Sequence, residues 1–324
     1  MNHKQILLAF SLLTVLVLAA ACDLGMYDTY EKELYRIGYS GLEYSFTDFP
    51  KTDVYVNDIF MVQVDLHNKG AYTAEESILV LGSSPPLINE STASRKLDKI
   101  EGRSSYNPSG GYVPAPEIFT FKAGPIDFAT EDLQVEVPVN LCYSYETIAD
   151  MIGCIGARVG AFTCEFEEAN KKLNLSEGQG APLAVTDVEE IITNVPEDKV
   201  KLTFVITVEN KGEGQVFRHR KYPGDKSTLD LVCGPGGYPK DTLNNFDFAV
   251  QLSTDYSFDS QTGGDAMTCS RDTHLDNNMA KIKCEVVDLP RKPATRSPLQ
   301  ISLRYAYKIG ESKQLTIKKI VVNR

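Results

Sequence analysis

The chain has 324 residues, 42 % of them apolar and 24 % charged, which is the ordinary globular range and long enough for two domains with real cores. Its 33 basic and 44 acidic residues give a formal net charge of −11. An acidic surface of this kind argues against nucleic acid as a partner and against a polybasic contact with a membrane.

Lys4 precedes an uncharged apolar run from Ile6 to Ala21. The run is short for a bilayer-crossing helix and suits the core of a signal peptide, so residues 1–21 are expected to be a signal peptide. Nothing later in the chain is as apolar. The run ends in Leu18-Ala19-Ala20-Ala21-Cys22, which resembles the cleavage box of bacterial-type lipoproteins, with Ala19 where that box usually has Leu. The resemblance implies lipidation at Cys22 and a chain held on the extracytoplasmic face of the membrane by its acyl groups. Asp23 next to it tends to favour inner-membrane retention in diderm lipoproteins. A plain Ala-x-Ala cleavage site, or an uncleaved anchor, is the alternative. Residues 22–40 then read as a tether.

Between Ile59 and His67, Phe60, Val62, Val64 and Leu66 alternate with polar neighbours and lead into Asn68-Lys69-Gly70, the pattern of a strand with one buried face and a turn. Asn89-Glu90-Ser91 and Asn174-Leu175-Ser176 match the N-glycosylation acceptor. Val137, Val139, Leu141 and Tyr143 alternate again. Pro138 among them lacks a ladder donor, which predicts an edge strand or a bulge. Glu165 to Leu173 predicts one helix. Leu202, Phe204, Ile206 and Val208 then repeat the first strand residue for residue, ending in Asn210-Lys211-Gly212. Leu299, Ile301, Leu303 and Tyr305 repeat the second. Further alternation at Phe246 to Leu252, Ile282 to Val286 and Leu315 to Ile317 adds strands.

The paired segments indicate an internal duplication. The longer second copy predicts an insertion, either around Cys233 to Tyr238 or from Ser257 to Asn278. Short strands separated by turns, without crossover helices, indicate antiparallel sandwiches. The expected fold is all-β, two tandem immunoglobulin-like antiparallel β-sandwiches after the N-terminal segment. The divisions are 41–148 for the first sandwich, 149–183 for a cysteine-containing connector and 184–324 for the second sandwich with inserted loops.

Setting Cys22 aside leaves Cys142, Cys154, Cys164, Cys233, Cys269 and Cys284, an even set suited to three disulfides in an oxidising compartment. Closeness in sequence and strand pattern favour Cys142 with Cys154 and Cys269 with Cys284, leaving Cys164 for Cys233. No Cys-x-x-Cys occurs, and His67, His219 and His274 lie far apart, so no metal site is expected. Asp255, Asp259, Asp265, Asp272 and Asp276 form an oxygen-rich stretch that could hold calcium, but the twelve-residue calcium-loop pattern is missing.

Catalytic signatures are also missing, so no catalytic residue and no cofactor is assigned. Gly234-Pro235-Gly236-Gly237 lacks the ending of a phosphate loop and reads as a tight loop beside Cys233. Arg218-His219-Arg220-Lys221 is the one basic cluster, a solvated loop or an anion site.

The strand ending in Asn-Lys-Gly, Phe60 to Gly70 and again Leu202 to Gly212, resembles the CARDB type of immunoglobulin-like domain of envelope proteins. The resemblance implies a seven-stranded sandwich used for adhesion, spacing or display. The expected function is therefore a non-enzymatic, lipid-anchored envelope protein that acts as an adhesion, binding or scaffolding module. Its partner is an extracytoplasmic protein or glycan, bound through loops of the second domain. The alternatives are an exported enzyme acting on polysaccharide or peptide, and a subunit of a surface layer or filament.

Overall fold

A computed structural model describes residues 34–319 apart from 51–52, 91–92, 127–131, 157–163, 171–172, 223–225, 235–236, 254 and 265. Cys22 and the apolar run before it lie outside the described residues. Among those described, no helix is long and apolar enough to cross a membrane.

The fold is nearly all β, and its two halves repeat one plan. The first half contributes β1 (Leu42–Asp48), β2 (Val54–Tyr55), β3 (Ile59–Asn68), β4 (Ser77–Leu81), β5 (Leu87–Asn89), β6 (Ser94–Leu97), β7 (Glu117–Ala123) and β8 (Leu133–Ile155). A short helix α1 (Phe166–Ala169) follows, only part of the stretch predicted as helical. The second half contributes β9 (Leu183–Val195), β10 (Lys199–Asn210), β11 (Gln215–Phe217), β12 (Lys221–Tyr222), β13 (Lys226–Ser227), helix α2 (Thr228–Cys233), β14 (Asp247–Leu252), β15 (Tyr256–Asp259), β16 (Met267–Cys269), β17 (Met279–Pro290) and β18 (Thr295–Lys318).

Two four-stranded sheets, ordered β1-β3-β7-β5 and β9-β10-β17-β16, match strand for strand. Both place their inner faces in one hydrophobic cluster with the larger sheet β6-β4-β8-β18-β14-β15. The alternation read in the sequence sets those faces. Val62, Val64 and Leu66 of β3 and Leu202, Phe204, Ile206 and Val208 of β10 are at most 1 % exposed, each contributing about 1.5 to 3 kcal/mol by leaving water.

The two halves are joined through β8 and β18, which pair antiparallel along their whole length from Leu133↔Ile317 to Ile155↔Thr295. At about 3.3 Å per residue these strands run about 75 Å, and each serves both halves. The division expected at 148 falls within β8, which continues to Ile155, and residues 307–317 of β18 lie beside the first half of β8. Pro138 is also placed differently from expectation, since β8 is a central strand between β18 and β4. Its carbonyl accepts from Gly82 N at 2.8 Å, so its donorless nitrogen faces the same neighbour just past the last β4 pair, Leu81↔Val139, where the loss of one ladder donor falls at the end of β4.

The insertion falls at residues 218–246, between β11 and β14. Both strands pair with β18, at residues 306–308 and 299–304 respectively. In the first half, the single strand β4 pairs with β8 over the corresponding stretch. The insertion includes Cys233 to Tyr238, one of the two expected places.

Three disulfides form, but two of the expected pairings do not. Cys142 joins Cys233, Cys154 joins Cys164, and Cys269 joins Cys284. Cys142 and Cys154 lie on one continuous strand, about 40 Å apart by its rise, so they cannot bond to each other. Cys269 and Cys284 are directly opposed across β16 and β17, as the sequence pattern indicated.

Candidate functional site

The basic cluster is held by the insertion. Arg218 leaves the end of β11, where its N–H donates to Thr242 O at 2.8 Å and its carbonyl accepts from Thr228 Oγ1 at 2.9 Å. Arg220 N donates to the same Thr228 hydroxyl at 2.8 Å, and Thr228 N returns a bond to Arg220 O at 2.9 Å. Thr228 and Thr242 are fully buried. Thr228 opens α2, whose first turn is fixed by Ser227 N donating to Asp230 Oδ2 at 2.8 Å. At its other end, Lys308 Nζ donates to Val232 O at 3.0 Å, a half-buried ammonium whose pKa burial lowers. The Cys142–Cys233 link ties α2 to β8, and Leu229 and Val232 pack with Ile78, Phe217 and Ala306.

So supported, residues 218–221 line one wall of a cleft of about 680 Å³, with Asp247, Ser260, Gln261 and Arg271 forming the rest. Four of these residues are Arg or Lys and one is acidic. Asp247, 5 % exposed, is engaged by Arg218 Nε at 3.3 Å and by Gln261 Nε2 at 2.9 Å. Arg218 also donates to Thr273 Oγ1 at 2.5 Å. These contacts make Arg218 a fixed part of the wall. Arg220 meets Asp241 at 3.1 Å in an exposed pair, which is worth little. Lys221 and Arg271 are exposed and form no ion pair among the described residues. His219 is three-quarters buried, 3.9 Å from Glu76 Oε2; burial lowers its pKa, Glu76 opposes that shift, and the net effect keeps it neutral to lower pH than usual.

The cleft gathers residues from four separated stretches, and only the 218–221 cluster carried a signal in the sequence. Asp247, Ser260, Gln261 and Arg271 have no local motif; β14, the turn after β15 and the segment after β16 bring them to one place. In the oxygen-rich stretch, Asp259 is occupied by Arg304, and Asp272 and Asp276 engage His274, through its N–H at 3.2 Å and its Nε2 at 3.7 Å. Asp265 lies outside the described residues. No group of three His, Cys, Asp or Glu among the described residues is placed to hold a metal. The Asn174 amide of the second glycosylation triplet is exposed and accepts from Ser176 Oγ at 2.6 Å.

No protein-family model matches the chain, and no curated protein sequence matches it. Among solved structures, a DUF4466 family protein from Parabacteroides merdae ATCC 43184 is similar at 6 % identity, covering 77 % of this chain and 98 % of its own, with a TM-score of 0.16. A likeness at that score carries no argument about fold or function.

Proposed function

We propose that the protein is a non-enzymatic binding module of the cell envelope, anchored by a lipid on Cys22, that takes up an acidic glycan in the cleft of its second half. The observation that carries this reading is the convergence of Arg218, Arg220, Lys221 and Arg271 on one cleft in a chain with a net charge of −11. Isolated surface cations are common, but four around a supported concavity make a local positive field against an acidic background. Ser260 and Gln261 beside them add the neutral hydrogen-bonding groups that a sugar acid requires. The resemblance of the strands to CARDB-type domains, and of the Cys22 segment to a lipoprotein box, supports the envelope setting.

The test is binding of the full chain to fluorescent polygalacturonate and dextran sulfate, with neutral dextran and an acidic peptide alongside. The expected result is binding to the anionic polysaccharides that weakens as salt is added and is lost in the Arg220→Gln/Arg271→Gln double variant. Unchanged binding by that variant, or equal binding of neutral dextran, overturns the proposal. Preference for the acidic peptide replaces the glycan with a protein partner. Intact mass of the chain from its native membrane fraction tests the anchor, since a lipid-bearing chain beginning at Cys22 is expected.

A further inference from the structure

Four tyrosines meet where β8 and β18 cross the middle of the molecule, Tyr143 opposite Tyr307 and Tyr145 opposite Tyr305. Three of their hydroxyls are satisfied. Tyr145 donates to Asn68 Oδ1 at 3.0 Å and accepts from Tyr72 N at 3.2 Å. Tyr307 donates to Asn210 Oδ1 at 3.1 Å and accepts from Gly214 N at 2.8 Å. Tyr305 lies 3.1 Å from Thr147 Oγ1 and accepts from Leu183 N at 3.4 Å.

Tyr143 stands where Tyr305 stands in the repeat, but Ile309 takes the place corresponding to Thr147. The Tyr143 side chain is 1 % exposed, and its hydroxyl makes no hydrogen bond among the described residues. Unlike the sealed, partnerless polar atoms among the described residues, that hydroxyl keeps contact with solvent, so its bonding capacity is open to a ligand. The hydroxyl borders a groove of about 550 Å³ walled by Pro182 and Ile309 and edged by Glu43, Glu213 and Glu311. Lys69 pairs with Glu43 at 2.8 Å, while Glu213 and Glu311 form no ion pair among the described residues.

We propose that this groove binds an alkylammonium group, its N–H donating to the Tyr143 hydroxyl oxygen, its charge facing Glu213 and Glu311, and its carbon chain lying on Pro182 and Ile309. A lysine side chain of a partner and a free diamine share this chemistry. The site is separate from the basic cleft and selects the opposite charge.

Titration of the full chain with cadaverine, Nα-acetyl-lysine methylamide and tetramethylammonium, followed by calorimetry and by NMR, tests it. The first two are expected to bind and tetramethylammonium, which has no N–H, to bind at least tenfold more weakly, about the worth of a charge-assisted hydrogen bond. Tighter binding of the lysine amide assigns the groove to a protein partner, and tighter binding of cadaverine to a free amine. Tyr143→Phe is expected to lower affinity about tenfold without lowering the melting temperature, and Glu213→Gln/Glu311→Gln, at exposed positions, to weaken binding in a folded chain. Absence of binding, equal binding of tetramethylammonium, or full affinity in Tyr143→Phe overturns the proposal. So does a loss of stability in Tyr143→Phe equal to that in Tyr145→Phe, which would reveal an internal partner.

Discussion

Asn68 holds the hydroxyl of Tyr145 at 3.0 Å across 77 positions of sequence, and Asn210 holds that of Tyr307 in the same way at 3.1 Å. Each asparagine also bonds the carbonyl four residues on, Tyr72 O at 2.8 Å and Gly214 O at 2.9 Å. The tyrosine oxygen then sits over the glycine of the Asn-Lys-Gly turn, where an added Cβ would come within 2.0 Å at Gly70 and 2.2 Å at Gly212. The repeated tripeptide is therefore a latch: the amide grips the tyrosine and the glycine leaves it room.

Asn68→Ala is expected to cost more than Asn210→Ala. Asn68 is fully buried and its amide serves two carbonyls and two donors, so truncation strands several buried groups at about 1 to 3 kcal/mol. Asn210 is only partly buried. Urea midpoints of the two variants check the order.

Removing the Cys142–Cys233 link as a pair of alanines should destabilise more than removing Cys154–Cys164. By loop-closure entropy a span of 91 positions is worth about 4 to 5 kcal/mol and one of 10 about 3 kcal/mol. The first loss also frees α2, so binding in the basic cleft should weaken with it. Denaturation and glycan titration of both pair variants read the two effects separately.

Arg218 and Arg271 should separate stability from binding. Arg218→Met leaves the Asp247 carboxylate buried without its cation, a loss of about 3 kcal/mol, and Asp247→Asn in the same chain should restore part of it. Arg271→Gln should change stability by about 0.5 kcal/mol or less, as an exposed substitution, while reducing glycan affinity. A double-mutant cycle on the first pair and a melting curve on the second decide.

Alkaline pH should unfold the protein cooperatively. Burial pushes Tyr143 and Tyr305 well above the ordinary tyrosine value of 10.0, and Tyr307 to about 12. For an acid whose folded pKa is raised, the full stability is present below 10.0 and is lost as pH climbs past it, because the unfolded chain releases those protons first. Phenolate absorbance should rise together with loss of β-sheet circular dichroism; a phenolate signal from these residues in a folded chain would contradict this.

Much of the fold was legible in the sequence, because the residues that define it are periodic and local. Val62 to Leu66 and Leu202 to Val208 showed which faces are buried, and the two Asn-Lys-Gly turns showed the duplication. The relation between the copies was not legible. Tyr143, Tyr145, Tyr305 and Tyr307 look alike in sequence, and only the antiparallel register shows that they meet and that one lacks the partner the others have. Cys269–Cys284 was legible as a close pair on facing strands, but the other two disulfides were not, for a similar reason: Cys142 and Cys154 are near in sequence, yet an unbroken strand keeps them apart. Of the cleft, Arg218 to Lys221 could be seen as a run, whereas Arg271 and Asp247 join it only through β14 and β16.

The ladder between β8 and β18 also settles what happens to the most exposed flank of each half. A sandwich standing alone would leave the long last strand with a row of free N–H and C=O groups, a template for any passing strand. Here each half covers that row on the other, so the molecule is in effect a dimer made within one chain. That flank of each half is already used, and the strand edges left for self-assembly are those of the outer strands β1, β5, β6, β9, β15 and β16.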